Sequence, residues 1–136
     1  MPKIELGLHL LVSHRQKIES KEVADAFFYL VGHGLSLPGW HCTAVQRGFI
    51  PAFLYYLGRQ NPYSFIVNEG SLLFYLRRPS MKMLGTRVDE IRKSFADVTD
   101  NKRGEVTVRI SNIAEAKRLV GFLFGYPLKE KIRLPI

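Results

Sequence analysis

Two aromatic and two arginine side chains lie close together at the end of one apolar segment of this chain. Arg77 lies two positions after Tyr75, and Arg109 lies two positions after Thr107 in a second segment with alternating apolar residues. Guanidinium groups bind phosphate oxygens, and aromatic rings stack on bases. Because side chains two apart share one face of a strand, we expect these four residues on an exposed sheet face suited to a phosphate backbone or stacked bases. In the alternative, Tyr75 and Phe74 are ordinary edge and core residues.

The basic residues are concentrated in the second half of the chain. The net charge of +8 divides into +1 for residues 1–71, with six Lys and Arg against five Asp and Glu, and +7 for residues 72–136, with fourteen against seven. Clustered cations favour a polyanionic partner because they release counterions from phosphates, although such a surface can also serve solubility alone. The predicted nucleic-acid-binding residues are Tyr75, Arg77, Arg78, Arg92, Lys93, Lys102, Arg103, Arg109, Lys117, Arg118, Lys129, Lys131 and Arg133.

The histidines, the single cysteine and the carboxylates offer little chemistry. His9 and His14 are five residues apart near a predicted strand, a spacing that does not present both rings to one metal ion. Cys42 follows His41, but adjacent residues seldom orient as nucleophile and base, and a lone cysteine is more typical of a small buried apolar residue. The twelve carboxylates have the spacing of helix caps and ion pairs. We therefore predict no catalytic residue, no metal site and no cofactor.

Length and composition predict one domain spanning residues 1–136. A chain of 136 residues with 46% apolar composition can bury one core. Its longest apolar runs, such as residues 49–57, are shorter than the roughly 20 residues that cross a membrane. We expect no cleavable targeting signal at the amino terminus, and a soluble protein inside an organelle such as the mitochondrion, or in a bacterial or phage-infected cytoplasm.

Apolar periodicity indicates the elements of the first half. Residues 4–12 alternate between apolar and polar side chains, which predicts a strand. Ser20 precedes apolar residues at helical spacing, and Gly32 and Gly34 are expected to end that helix. Residues 49–57 fit either a short helix or an apolar strand, and we favour the helix.

The second half contains the clearest local pattern. Residues 63–67 and 71–76 are rich in β-formers and predict a hairpin, with Gly70 in the left-handed position of a three-residue loop.

Two helices and a strand are predicted after this hairpin. Thr86 is expected to begin a helix whose apolar stripe reaches Val98. Residues 105–110 alternate as a strand, and Asn112 with Glu115 forms a capping pair for the last helix. The order predicts an α+β fold in which helices pack on one face of an antiparallel sheet.

From the hairpin to the last helix, this order resembles the second part of a LAGLIDADG homing-endonuclease domain, whose unit runs helix, two strands, helix, two strands, helix. The strand and capped helix VTVRISNIAEAKRLVGFLF precede Tyr126, Pro127 and Leu128, and then Lys129 and Lys131. A similar Tyr-Pro-Leu segment followed by lysines closes organellar members of the family. The resemblance covers about the last half of the chain, and it implies nucleic-acid binding.

The defining helix of that family ends in an acidic residue beside a glycine, and this carboxylate holds the divalent metal that activates water for phosphodiester cleavage. Two segments of this chain are candidates for that helix. The segment AFFYLVGHG has His33 before its last glycine, and FIPAFLYYLGRQ ends in Gly58, Arg59 and Gln60. Neither supplies the carboxylate, so the resemblance implies that cleavage has been lost and binding kept.

The sequence therefore predicts a non-catalytic protein that binds nucleic acid, with structured RNA preferred over DNA. Such a protein would serve as a component of a ribonucleoprotein, for example a ribosome, beside other proteins, or as a splicing helper. One alternative is a protein-binding inhibitor or adaptor of the phage or mobile-element type. Another is an active, metal-dependent DNA endonuclease.

Overall fold

The computed structural model describes the backbone of residues 3–125 and the side chains of residues 9–125. The elements, in chain order, are α1 (Lys3–Lys17), α2 (Lys21–Leu35), β1 (His41–Arg47), β2 (Ile50–Leu57), β3 (Gln60–Val67), β4 (Leu72–Leu76), α3 (Arg78–Leu84), α4 (Arg87–Ser94), β5 (Val98–Asp100), β6 (Val106–Ile110) and α5 (Ile113–Phe124).

The six strands form one antiparallel sheet in the order β1-β2-β3-β4-β6-β5. The side chains of one sheet face pack with those of the helices in a single core, which includes the rings of Phe27, Phe53, Phe65 and Phe74. This face is the helical face, and the opposite one is the open face. The predicted α+β architecture, with helices on one side of an antiparallel sheet, is confirmed. No helix in the described part of the chain is long and apolar enough to cross a membrane.

The predicted strand over residues 4–12 is wrong, because this segment belongs to helix α1. Leu10 and Leu11 pack against the core, His14 is buried on the same side of the helix, and Ile18, directly after the last helical residue, is buried as well. These positions follow the helical spacing of three and four residues. The pattern was hidden because a histidine, which counts as polar, occupies the middle of the buried stripe.

Helix α2 begins where the sequence predicts and runs through both glycines. The Oγ of Ser20 accepts a hydrogen bond from the backbone N–H of Val23. The helix continues to Leu35, so Gly34 does not end it. A Cβ on Gly34 would lie 2.9 Å from the ring of Phe53. This glycine therefore lets α2 approach the sheet closely.

Residues 49–57 form a strand, so the helix favoured there is wrong. Phe53 and Tyr55 face the core, and Leu54 is also buried although it lies on the open face. A central strand buried on both faces has no apolar alternation to distinguish it from a helix. The missed signal lies in the two flanking turns, where Gly48 and Gly58 have φ values of 61° and 62°. A glycine at the first position of a two-residue loop is typical of a hairpin.

The hairpin of β3 and β4 is confirmed, with Val67 paired to Leu72. Its loop is closed by a hydrogen bond from the Asn68 backbone N–H to the Ser71 carbonyl. Gly70 is not in the left-handed region, which corrects that detail.

The segment after β4 contains two elements that the sequence did not predict, helix α3 and strand β5. Thr86 precedes α4 but makes no side-chain cap hydrogen bond. Val98 belongs to β5, because α4 already ends at Ser94. The helical stripe was thus predicted too long by one turn.

The last helix follows its predicted cap. The Oδ1 of Asn112 accepts a hydrogen bond from the Glu115 N–H at 2.9 Å, and Glu115 Oε1 accepts one from the Ser111 N–H at 2.7 Å. Ala116, Val120 and Leu123 are buried against the core, whereas Ile113 is exposed. Gly125 ends the helix with a φ of 66°.

Candidate nucleic-acid interface

The open face of the sheet brings together the four residues that the sequence predicts there. Strand pairing places Tyr75 opposite Thr107, and Arg109 opposite Leu73. Arg77 follows β4 directly and lies two positions beyond Tyr75. The two adjacent aromatic rings therefore lie on opposite faces of the sheet: Phe74 is in the core, and Tyr75 is half-buried on the open face.

Arg77 is held in a network at one end of this face. Its Nε lies 3.1 Å from Glu105 Oε2, and its Nη1 donates to Asn61 Oδ1. Asn101 Nδ2 donates to the other carboxylate oxygen of Glu105 at 2.9 Å. Burial raises the pKa of Glu105, but the hydrogen bonds from Asn101 and Arg77 and the charges of Arg77 and Arg103 outweigh it, so its pKa lies below the usual value. Glu105 is therefore ionised and offsets the charge of Arg77.

Arg109 is similarly paired. Its Nε lies 2.9 Å from Asp97 Oδ2, and its Nη1 donates to Ser71 Oγ at 2.7 Å. Its side chain is 42% exposed, so the guanidinium remains accessible to solvent. An exposed ion pair is weak, and a phosphate can compete for such a guanidinium.

Arg78 and Arg103 lie beside this network. Arg78 Nε donates to the Arg103 carbonyl at 2.8 Å, and its side chain runs 3.6 Å from where a Cβ on Gly104 would lie. In the described part of the chain neither arginine forms a salt bridge. Both side chains are exposed, so their charges are available to a ligand.

The open face is concave between these arginines and strand β1. A depression of about 200 Å³ is bounded by Arg47 at one end and by Arg77 and Arg103 at the other. Arg47 is absent from the predicted set of binding residues. Strand β1 places it on the open face, with Thr43 and Val45 on the same side. The sequence signal for this strand is Gly48, at the turn into β2.

Two of the remaining predicted binding residues lie away from the open face. Lys117 and Arg118 belong to α5, on the helical face. The ammonium of Lys117 lies 5.8 Å from the ring centre of Tyr29. Arg118 donates to the Ser94 carbonyl at 2.7 Å and lies over the Phe95 ring. These two residues therefore lie on the side of the sheet opposite Tyr75 and Arg109.

Three further predicted residues lie on helix α4 or on the turn before β6, and three lie outside the described residues. Arg92 of α4 forms salt bridges to Asp89 at 3.5 Å and Asp100 at 2.8 Å, which offset its charge. Lys93 and Lys102 are exposed, on α4 and on the turn before β6. The residues outside the described range are Lys129, Lys131 and Arg133, together with the Tyr-Pro-Leu segment at 126–128.

The cysteine and the histidines have structural surroundings. Cys42 is buried, which raises the pKa of its thiol to about 12, whereas His41 is exposed on the opposite face of β1. A nucleophile and base pair is thus excluded there. His9 is exposed, whereas His14 is buried against the Val45 backbone and the Gln46 side chain, so the two rings do not share a ligand.

Of the two segments that the resemblance offers for the metal-binding helix, FIPAFLYYLGRQ contains strand β2, and only AFFYLVGHG lies in a helix, α2. Its His33 ring lies between the rings of Tyr29 and Phe124, with centroids 6.2 and 5.1 Å away. Burial lowers the pKa of His33. Among the described residues, no group of three or more His, Cys, Asp or Glu side chains could hold a metal ion.

Comparison with protein-family models, with curated proteins and with solved structures finds no match to this chain.

Proposed function

We propose that this protein binds nucleic acid, with structured RNA preferred, through the open face of its sheet and without cleaving it. One observation carries the proposal: helices cover the other face, while the concave open face gathers Arg47, Arg77, Arg103 and Arg109 around the half-buried ring of Tyr75. Arginine binds phosphate oxygens through two parallel hydrogen bonds, and an aromatic ring stacks on bases.

The charges of this face support a phosphate ligand. Arg77 and Arg109 are positioned by carboxylates, whereas Arg47, Arg78 and Arg103 form no salt bridge among the described residues. Fixed guanidinium groups position a backbone, and uncompensated ones supply the release of counterions.

The order of elements also supports the proposed kinship with LAGLIDADG domains. From β3 onward the chain runs strand, strand, helices, strand, strand, helix. This is the order of the second part of that unit. Of the two candidate segments for the family's metal site, the one that is helical, in α2, carries His33 where a carboxylate would be needed, which favours binding without cleavage.

The preference for RNA is an extension of this proposal. A binding fold without a cleavage site would be useful in a ribonucleoprotein, including a ribosome, or in assisting splicing. The test is binding of the purified chain to a folded RNA and to a DNA duplex over a salt series, with magnesium present and both substrates inspected for cuts. RNA binding without cuts is expected. Duplex cutting would establish an endonuclease, and no binding at moderate salt would favour a protein-binding module.

A further inference from the structure

Two adjoining recesses on the open face differ in chemistry. The first is the depression of about 200 Å³ between Arg47 and Arg77. The second is a cleft of about 450 Å³ that opens beside it. Both are lined by Arg77, Arg103 and Glu105, so one ligand can occupy the two together.

The first recess offers an apolar floor and one aromatic ring. Ala52 and Leu54 are each 5% exposed, and they form the floor together with the half-buried Ile66. The recess is smaller than the roughly 300–1,000 Å³ of pockets for drug-sized ligands. It therefore suits one planar ring system.

Tyr75 is placed to stack on such a ring system. Its neighbours across the strands are Ser64 on β3 and Thr107 on β6. Both side chains are short and buried, so the larger Tyr75 ring stands above them and lines the recess.

The second recess is an arginine cleft. Its lining includes Arg77, Arg78 and Arg103 against the single carboxylate of Glu105, a net charge of +2. Glu105 and the Arg103 carbonyl hold the Nε atoms of Arg77 and Arg78. In the described part of the chain, the outer nitrogens of Arg78 carry no hydrogen bond. Guanidinium groups held in this way present donors to phosphate oxygens at little entropic cost.

We infer that the two recesses together bind one unpaired nucleotide of an RNA strand, with its base on Leu54 and Tyr75 and its phosphate in the arginine cleft. This inference rests on the proposed function and makes it more specific. Bases inside a continuous duplex are stacked on one another and cannot offer a ring face to the protein, whereas a bulged or looped base can. The protein should therefore favour RNA that carries an unpaired nucleotide.

The test uses the full chain and three labelled RNAs of the same stem sequence: a fully paired hairpin, the same stem with a one-nucleotide bulge, and its single strand. Fluorescence anisotropy gives each dissociation constant for the wild type, Tyr75→Ala and Tyr75→Phe. Tighter binding of the bulged RNA than of the paired stem is expected. Tyr75→Ala should weaken bulge binding by roughly 5- to 150-fold, as loss of one stacking ring does, while Tyr75→Phe retains the ring and the affinity.

The outcomes separate this inference from the proposed function. If bulged and paired stems bind equally and Tyr75→Ala changes neither, the nucleotide site is wrong while the nucleic-acid interface stands. If none of the RNAs binds, both proposals fall, and a protein ligand for the open face becomes the better reading. Thermal melting of each variant controls for folding. Arg78→Gln tests the phosphate half independently, because it should lower the salt dependence of bulge binding and leave the preference for the bulge in place.

Discussion

Replacing Arg78 and Arg103 together by glutamine removes two positive charges from the open face and leaves polar side chains at both positions. Both side chains are exposed, and neither forms a salt bridge in the described part of the chain. Arg77 is a less suitable target. Its loss would leave the Glu105 carboxylate, 8% exposed, without its ion-pair partner, and that would destabilise the fold as well as weaken binding.

The expected size of the effect follows from counterion release. Each phosphate contact contributes about 0.7 to the slope of log K against log salt for a single strand and about 0.9 for a duplex. Two lost contacts should therefore reduce the slope by about 1.4 to 1.8. Between 50 and 200 mM salt, the affinity of the wild type should then fall by roughly 7- to 12-fold more than that of the variant.

Anisotropy titrations of the folded RNA over that salt range measure the slope. The matched control is Lys93→Gln with Lys117→Gln, which removes the same charge from α4 and α5, and its slope should match the wild type. Equal slopes for the wild type and the Arg78 and Arg103 variant would show that these two arginines do not contact phosphate. An equal reduction in the control would show that net charge, and not the open face, governs binding.

Three further perturbations test the fold by denaturant or thermal unfolding. Gly34→Ala should lower the free energy of unfolding by about 1–3 kcal/mol, because the new Cβ meets an aromatic ring of β2. Its control, Gly32→Ala, has open space around the new Cβ and should raise the free energy of unfolding by about 0.5–1 kcal/mol. Equal effects of the two substitutions would contradict the close approach of α2 to the sheet. Tyr55→Phe removes a hydrogen bond to α2 and should lower the free energy of unfolding by about 0.5–1.5 kcal/mol. Tyr63→Phe removes a buried hydroxyl that has no partner among the described residues, so its effect should be neutral or stabilising. A larger loss of stability for Tyr63→Phe than for Tyr55→Phe would show that the Tyr63 hydroxyl has a partner. Burial lowers the pKa of His14, so the stability that the neutral ring contributes is complete above the unfolded pKa of 6.5 and is lost as the pH falls below that value. His14→Leu should therefore reduce the decline in melting temperature between pH 7.5 and 5. An unchanged decline would show that other groups cause the acid sensitivity.

The parts of the fold that the sequence predicted are those in which local pattern and burial agree. Ser20 and Asn112 cap helices whose apolar stripes face the core. The β3–β4 hairpin has its short loop between two runs of β-formers. In each case, neighbouring residues in the chain carry the whole signal.

The errors arose where tertiary packing decides the structure. Strand β2 is buried on both faces, so its apolar run fits a helix as well as a strand. In α1, His14 lies within the buried stripe and disguises the helical spacing. Gly34 was interpreted as a helix end, although close contact with the sheet is what requires a glycine there.

The sequence predicts only those parts of the candidate site that depend on local strand alternation, and not those that depend on tertiary packing. Strand alternation correctly placed Tyr75, Arg77 and Arg109 on one face. Only the assembled sheet shows that Arg47 borders the same concavity. Sequence distance likewise did not show that Arg118 would lie on the helical face. Composition gives only the number of charged residues, whereas the order of strands in the sheet determines which of them lie close together.

Ultraviolet crosslinking of the protein to a bound RNA, followed by mass spectrometry of the crosslinked peptides, tests most directly whether the open face is the binding surface. Nucleotide adducts are expected on the strand residues of that face, with Tyr75 the foremost site, and their yield should decrease strongly in Tyr75→Ala at equal occupancy. Adducts confined to α2 and α5, with Tyr75 unmodified, would contradict it and place the nucleic acid on the helical face.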